Sequence, residues 1–257
     1  MVKEFTSYWA LILGGSTGLG LASARKLAAH GMNICIVHRN TRIELADIQQ
    51  PFEEIRSQGV QLLTFNTDVL NTGKRAGILQ QLQEVMGAGR IRCLLHSIAR
   101  GNLKALPDLQ ADDFNTTIGH MAVSLYEWSA DILHRQLFAP DARILSFTSD
   151  GSYKAMAHYA AVSAAKAALE SITRSIALEF APHGIRANCI RAGVTDTASL
   201  RKIPGSAALL EHSRERNPFR QLTTPEDVAN VVYLLCRDEA AWINGAIIPV
   251  DGGTHIH

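Results

Sequence analysis

The sequence predicts a doubly wound α/β fold, a parallel sheet of about seven strands with helices on both faces. Short apolar runs recur along the chain, and a stretch with helical periodicity separates each from the next. The runs are continuous rather than alternating, as in strands buried on both faces of a parallel sheet. No Gly/Ser-rich or Pro-rich linker interrupts the 257 residues, so one domain spanning 1–257 is expected.

The elements follow in order. An apolar strand at 8–13 runs into a glycine-rich turn and a helix at 21–30, closed by Gly31. A second strand is predicted at 33–38, a polar helix at 42–58 and a third strand at 60–65. A helix at 74–86 leads to the fourth strand at 91–97, and a long amphipathic helix at 114–137 to the fifth at 143–148. An Ala-rich helix then continues through Phe180. The sixth strand is placed at 186–191. Residues 199–218 read as an irregular flap, followed by a helix at 225–236 and a last strand at 246–250.

Composition excludes several classes. Lys and Arg total 25 against 24 Asp and Glu, so no broad basic field awaits nucleic acid or an anionic membrane. No apolar stretch is long enough to span a bilayer, and the N-terminus shows no signal-like core. Cys35, Cys93, Cys189 and Cys236 are widely spaced and lack CxxC pairing, which predicts free thiols in a reducing, cytoplasmic compartment. His96, His120 and His158 are not spaced like metal ligands.

The first strand-to-helix turn carries Gly14, Gly18 and Gly20. Glycines there let the backbone turn tightly and approach a pyrophosphate at the positive end of the next helix, so a dinucleotide site of Rossmann type is expected. An acid at the end of the second strand would repel a 2′-phosphate. The chain has His38, Arg39 and Asn40 there, with Arg42 close by, which favours NADPH over NADH. Further on, Tyr159 and Lys166 lie seven residues apart, nearly two helical turns, and are expected on one helix face. A phenol beside an ammonium suits a proton donor tuned by a cation.

The run Leu13, Gly14, Gly18, Gly20 and the closing Val250, Asp251, Gly252, Gly253 resemble the short-chain dehydrogenase/reductase superfamily over essentially the whole chain. Members of that superfamily usually carry Tyr-x3-Lys, and no such pair exists here. Tyr159-x6-Lys166 looks instead like enoyl-acyl-carrier-protein reductases. His96-Ser-Ile-Ala99 and Arg191-Ala-Gly193 agree with that branch, and Gly119 stands where an active-site Asn is usual. The displaced tyrosine has a physical reason. In conjugate reduction, negative charge develops on a thioester oxygen two carbons beyond the carbon that takes the hydride, so the donor must sit further from the nicotinamide.

The resemblance implies cofactor contacts from Gly14, Ser16, Thr17, Gly18, Leu19, Gly20, His38 and Arg39. It implies others from Asp68 and Val69 beside the adenine, from Ser97, Ile98 and Ala99, and from Ala192 and Gly193. Asp68 otherwise reads as a loop acid capping the next helix, and Thr195 and Thr197 as either nicotinamide contacts or caps. Tyr159 and Lys166 are the implied catalytic pair. Tyr153 is either a second tyrosine of the site or a loop aromatic over it. Ser149, seventeen before Lys166, keeps carbonyl reduction open.

The flap at 199–218 is expected to cover an acyl thioester. Arg201, Lys202, Arg214 and Arg216 either receive an acidic acyl carrier protein or form a solvated face. The family implies a homotetramer, built by the long helix and the Ala-rich one. The expected activity is enoyl thioester reduction. A carbonyl or imine reductase and a non-catalytic NADPH sensor remain the alternatives.

Overall fold

A computed structural model describes residues 3–256. Seven strands form one parallel sheet in the order β3-β2-β1-β4-β5-β6-β7. They are β1 (Tyr8–Leu13), β2 (Asn33–His38), β3 (Leu62–Asn66), β4 (Arg90–His96), β5 (Phe138–Thr148), β6 (Ile185–Ala192) and β7 (Ile247–Val250). The helices are α1 (Gly18–Ala29), α2 (Glu44–Arg56), α3 (Thr72–Met86), α4 (Ala111–Ile118), α5 (Ser124–His134), α6 (Ala160–Glu179), α7 (Ser206–Arg216) and α8 (Pro225–Cys236).

Alternate residues of each strand feed two cores, because successive side chains leave opposite faces. From β1, Trp9, Leu11 and Leu13 pack with Leu79 of α3, Trp128 of α5 and Leu169 of α6. Ala10 and Ile12 face the other way, toward Leu27 of α1, Phe52 of α2 and Val232 of α8. The doubly wound expectation therefore holds, with helices on both faces. Strand order reverses between β1 and β4, and Leu13 pairs with both Val37 and His96. That reversal opens a crevice at the carboxyl ends of the strands, the usual ligand position in such sheets.

Three expectations need correction. The helix expected at 114–137 is broken: a π-helical turn, Gly119–Val123, separates α4 from α5. Its extra residue per turn carries the buried His120 in against Asp68. The segment 199–218 is not irregular, since it holds a 3₁₀ turn, Leu200–Lys202, and then α7. Sparse apolar periodicity hid α7, none of whose side chains is buried. Tyr159 stands at the N-cap of α6, not inside it, with φ −122° and ψ 4°. His158 before it adopts φ +60°, a left-handed conformation uncommon outside glycine, and this sets the entry to the helix.

Far from the crevice, a charge cluster ties the amino ends of the strands to α8. Arg92 and Arg143 are buried, and with Arg186 they converge on Asp141. Their guanidinium groups also donate to the terminal carbonyls of α8, Arg143 to Leu235 O at 2.8 Å and Arg92 to Cys236 O at 3.0 Å. Burial pushes the Asp141 carboxyl up, but Arg143, Arg92 and Arg186 together hold it below the usual carboxylate range. Asp141 therefore adds stability at neutral pH that is lost as pH falls through its lowered pKa. Asp141→Ala leaves the buried Arg143 without a carboxylate partner and Arg92 with Asp238 alone, and is expected to cost about 3 kcal/mol, read as a lower denaturant midpoint.

Candidate active site

Two cavities meet at the carboxyl edge of the sheet. The first is a groove of about 600 Å³ that runs from the β1–α1 turn past the ends of β2 and β4. Gly14 and Gly18 have φ of +89° and +55°. A Cβ on Gly14 would stand 2.4 Å from Ser97 O, and one on Gly20 would stand 2.2 Å from Gly14 O, so the turn closes only with glycine at both positions. Thr17, the N-cap of α1, makes no side-chain cap, and the first turn holds no acid. Its free N–H groups and the helix dipole therefore suit a pyrophosphate.

Most residues assigned to the cofactor meet in this groove. Ser16, Thr17, Leu19, His38, Arg39, Asp68, Val69, Ser97, Ile98, Ala99 and Thr197 all line it, as do Gly14 and Gly18. Gly20 lies beneath the turn. Burial lowers the His38 pKa, so this imidazole is neutral at pH 7 and Arg39 supplies the charge at the end of β2. Arg39 donates to Asp68 Oδ2 at 2.6 Å. Asp68 also meets Arg100 at 3.0 Å and His120 at 3.2 Å, two neighbours that sequence reasoning missed because they come from separate segments. Burial raises the Asp68 pKa, but the Leu70 N–H, His120 and Arg39 bring it below the usual value. The capping reading of Asp68 fails, because the α3 cap is Asn71, whose side chain accepts from Lys74 N–H at 2.9 Å.

The second cavity, about 550 Å³, adjoins the first and is largely apolar, with Leu103, Met121, Met156, Val162, Ile203 and Leu209 among its walls. Tyr159 and Ser149 line it, as do Ala192, Gly193 and Thr195, which therefore face this cavity and not the groove. Lys166 and Thr148 line both cavities. Lys166 is buried and donates to Phe147 O at 2.6 Å. Burial lowers its pKa to about 8, partly countered by Cys189 and Glu170. Burial raises the Tyr159 pKa, tempered by the neighbouring Ser149 hydroxyl, so the phenol is a neutral donor at pH 7. Ser149 Oγ is buried without a well-formed hydrogen bond among the described residues.

Gly151 shapes this site, and no sequence signal singled it out. A Cβ there would meet the Tyr159 ring at 2.6 Å, so glycine lets the ring approach the turn after β5. His96 is also built in. Burial lowers its pKa to about 3, and its neutral Nε2–H donates to Ser124 Oγ at 2.8 Å. The Ser124 hydroxyl in turn donates to His120 O at 2.7 Å. That chain fixes the tautomer and anchors the end of β4 to the π-helical turn.

Some expected residues are placed elsewhere. Tyr153 is exposed and lines neither cavity. Its O–H donates to Asp150 Oδ1 at 3.0 Å, and the Arg191 guanidinium stacks on its ring at 4.9 Å. Thr197 lines both cavities, and it also caps, its Oγ1 accepting from Leu200 N–H at 3.2 Å. Of the flap cations, Arg201 pairs with Asp196, Arg214 with Glu211, and Arg216 lines the apolar cavity. Lys202 turns into the groove. These four side chains therefore form no single outward basic patch. Arg42 does not line the groove.

A family model described as Enoyl-(Acyl carrier protein) reductase matches residues 14–255. The chain is 29% identical over 247 residues to a 3-oxoacyl-[acyl-carrier-protein] reductase of Pseudomonas aeruginosa, covering 96% of this chain and 97% of the relative. Among solved structures, the enoyl-[acyl-carrier-protein] reductase (NADH) of Aquifex aeolicus superposes with a TM-score of 0.86 at 28% identity, covering 97% of each chain. A short-chain dehydrogenase of Burkholderia cenocepacia in complex with NADP gives a TM-score of 0.84 at 26% identity, covering 98% and 99%.

Proposed function

The chain belongs to the short-chain dehydrogenase/reductase superfamily, and we propose that within it the protein reduces the 2,3 double bond of trans-2-enoyl thioesters with NADPH. It is an oxidoreductase that uses a nicotinamide cofactor. The observation that carries the finer reading is Tyr159, seven residues before Lys166, on the wall of an apolar cavity that shares Lys166 with the dinucleotide groove.

When bound, the reduced nicotinamide supplies a hydride. Gly14, Ser16, Thr17 and Gly18 would hold the pyrophosphate, and Lys166 would hold the ribose hydroxyls at the junction of the cavities. Arg39 would meet the 2′-phosphate, and Asp68 and Val69 would lie toward the adenine. Hydride addition at C3 of the enoyl group moves an electron pair onto the thioester oxygen. The neutral Tyr159 O–H donates to that oxygen, and the Lys166 charge favours a phenol ready to give up its proton. A solvent proton completes the saturated product at C2. The apolar walls take the acyl chain, delivered on an acyl carrier protein or coenzyme A. Free, buried cysteines fit a cytoplasmic setting.

Val123, exposed at the end of the π-helical turn, Tyr126, exposed on α5, and Leu178, exposed on α6, support a homotetramer built through these helices. One observation favours a second reading. The buried Ser149 hydroxyl, beside Tyr159 and without a well-formed hydrogen bond, is suited to a ketone oxygen, which would make the protein a 3-oxoacyl or other carbonyl reductase. The two are separated by following NADPH oxidation with a trans-2-enoyl thioester and with its 3-oxo analogue. Oxidation with the enoyl compound alone is expected, whereas activity confined to the 3-oxo compound overturns the proposal.

A further inference from the structure

One turn of the flap serves both cavities. Leu200 and Ile203 line the apolar cavity, whereas Lys202, between them, lines the dinucleotide groove with Arg39, Asn40 and Thr41. The turn is braced as a unit. Thr197 Oγ1 receives Leu200 N–H, Thr197 O receives Arg201 N–H at 3.0 Å, and the Arg201 guanidinium clasps Asp196 at 2.7 and 2.9 Å. A displacement of Lys202 therefore carries Leu200 and Ile203 with it.

The charges at that end of the groove call for a second cation. Arg39 already has Asp68 as counter-ion, an acid it shares with Arg100 and His120. Glu44, in the first turn of α2, adds another negative charge, its carboxylate receiving Thr41 N–H at 2.7 Å. Lys202 acts on Glu44 through space, yet no carboxylate among the described residues lies within ion-pair distance of its ammonium. The charges of Arg39 and Arg100 are already matched by Asp68 and the nearby Glu44, so a dianionic phosphate beside Arg39 calls for a further cation.

We propose that Lys202 and Arg39 together form the site for the 2′-phosphate of the dinucleotide, and that filling this site seats the flap over the apolar cavity. The inference rests on the NADPH reading above and extends it. The phosphate furthest from the chemistry becomes the signal that closes the substrate site, and NADH, with a hydroxyl there, binds without closing it.

The test is hydrogen exchange across 199–216 with binding measured by calorimetry, using NADPH, NADH, 2′,5′-ADP and 5′-AMP as probes. Wild-type protein is expected to show slowed exchange in this segment with NADPH and with 2′,5′-ADP, but not with NADH or 5′-AMP. Lys202→Met is expected to lose that protection and to weaken NADPH about 10-fold, the loss of one charge-assisted contact, with NADH within 2-fold of wild type. Equal flap protection by NADH and NADPH overturns the inference, as does a Lys202→Met variant that keeps the protection or weakens both cofactors alike. Wild-type protein that binds NADH but not NADPH or 2′,5′-ADP overturns the NADPH reading itself, and the inference falls with it.

Discussion

Tyr159→Phe is expected to lower kcat by about 10²- to 10³-fold, the loss that follows removal of one donor to a developing oxyanion. The ring remains against Gly151, so the cavity keeps its shape. Cofactor affinity is expected to stay within 2-fold of wild type, because Tyr159 lines the apolar cavity and not the groove. Stability is expected to fall by no more than about 1 kcal/mol, since the variant removes only a hydroxyl whose neighbour is the Ser149 hydroxyl. Single-turnover kinetics with saturating NADPH make the measurement, since they isolate chemistry from product release. An unchanged rate would remove Tyr159 from the mechanism and shift weight to Ser149. In that case Ser149→Ala should carry the large loss.

Legibility from sequence followed how local the physics was. The β1–α1 turn was legible because three glycines after an apolar run have few other uses, and all three positions tolerate no side chain or require a positive φ. The strands were legible because burial on both faces leaves continuous apolar runs, and β1, β2 and α8 begin and end where the pattern placed them. What failed was assembled in three dimensions. The Asp68 cluster draws Arg39, Arg100 and His120 from three segments, and a π-helical turn that no residue pattern announces delivers His120. The tyrosine–lysine spacing was read as two residues on one helix face. The structure instead uses a left-handed His158 and an N-cap Tyr159 to bring the phenol to the same cavity. Sequence spacing thus pointed to two residues that do share a cavity, for a reason that geometry revised. Tyr153 shows the opposite case, since its distance from Tyr159 was suggestive and its packing on Arg191 takes it outside.

Lys166→Met separates the lysine's role in function from its cost to the fold. A fully buried ammonium whose pKa drops from 10.5 to about 8 carries a penalty of roughly 3 kcal/mol at neutral pH. The folded protein therefore binds this proton less tightly than the unfolded chain does. Stability is lowest below pH 8, and it rises between about pH 8 and 10.5 as the folded form sheds the proton first. Function runs the other way. In the proposed mechanism the charged lysine is the form that would hold ribose hydroxyls and bias Tyr159, so kcat/KM for the cofactor should fall as pH rises through about 8. Lys166→Met should remove both pH dependences together, hold or raise the denaturant midpoint at pH 7, and lower kcat/KM by at least about 10²-fold. A merely structural lysine would give the reverse result, a destabilised variant with near-normal turnover. Urea unfolding and cofactor kinetics, each measured from pH 7 to 10 on both proteins, distinguish the two because only a functional buried cation makes stability and activity diverge over the same pH range.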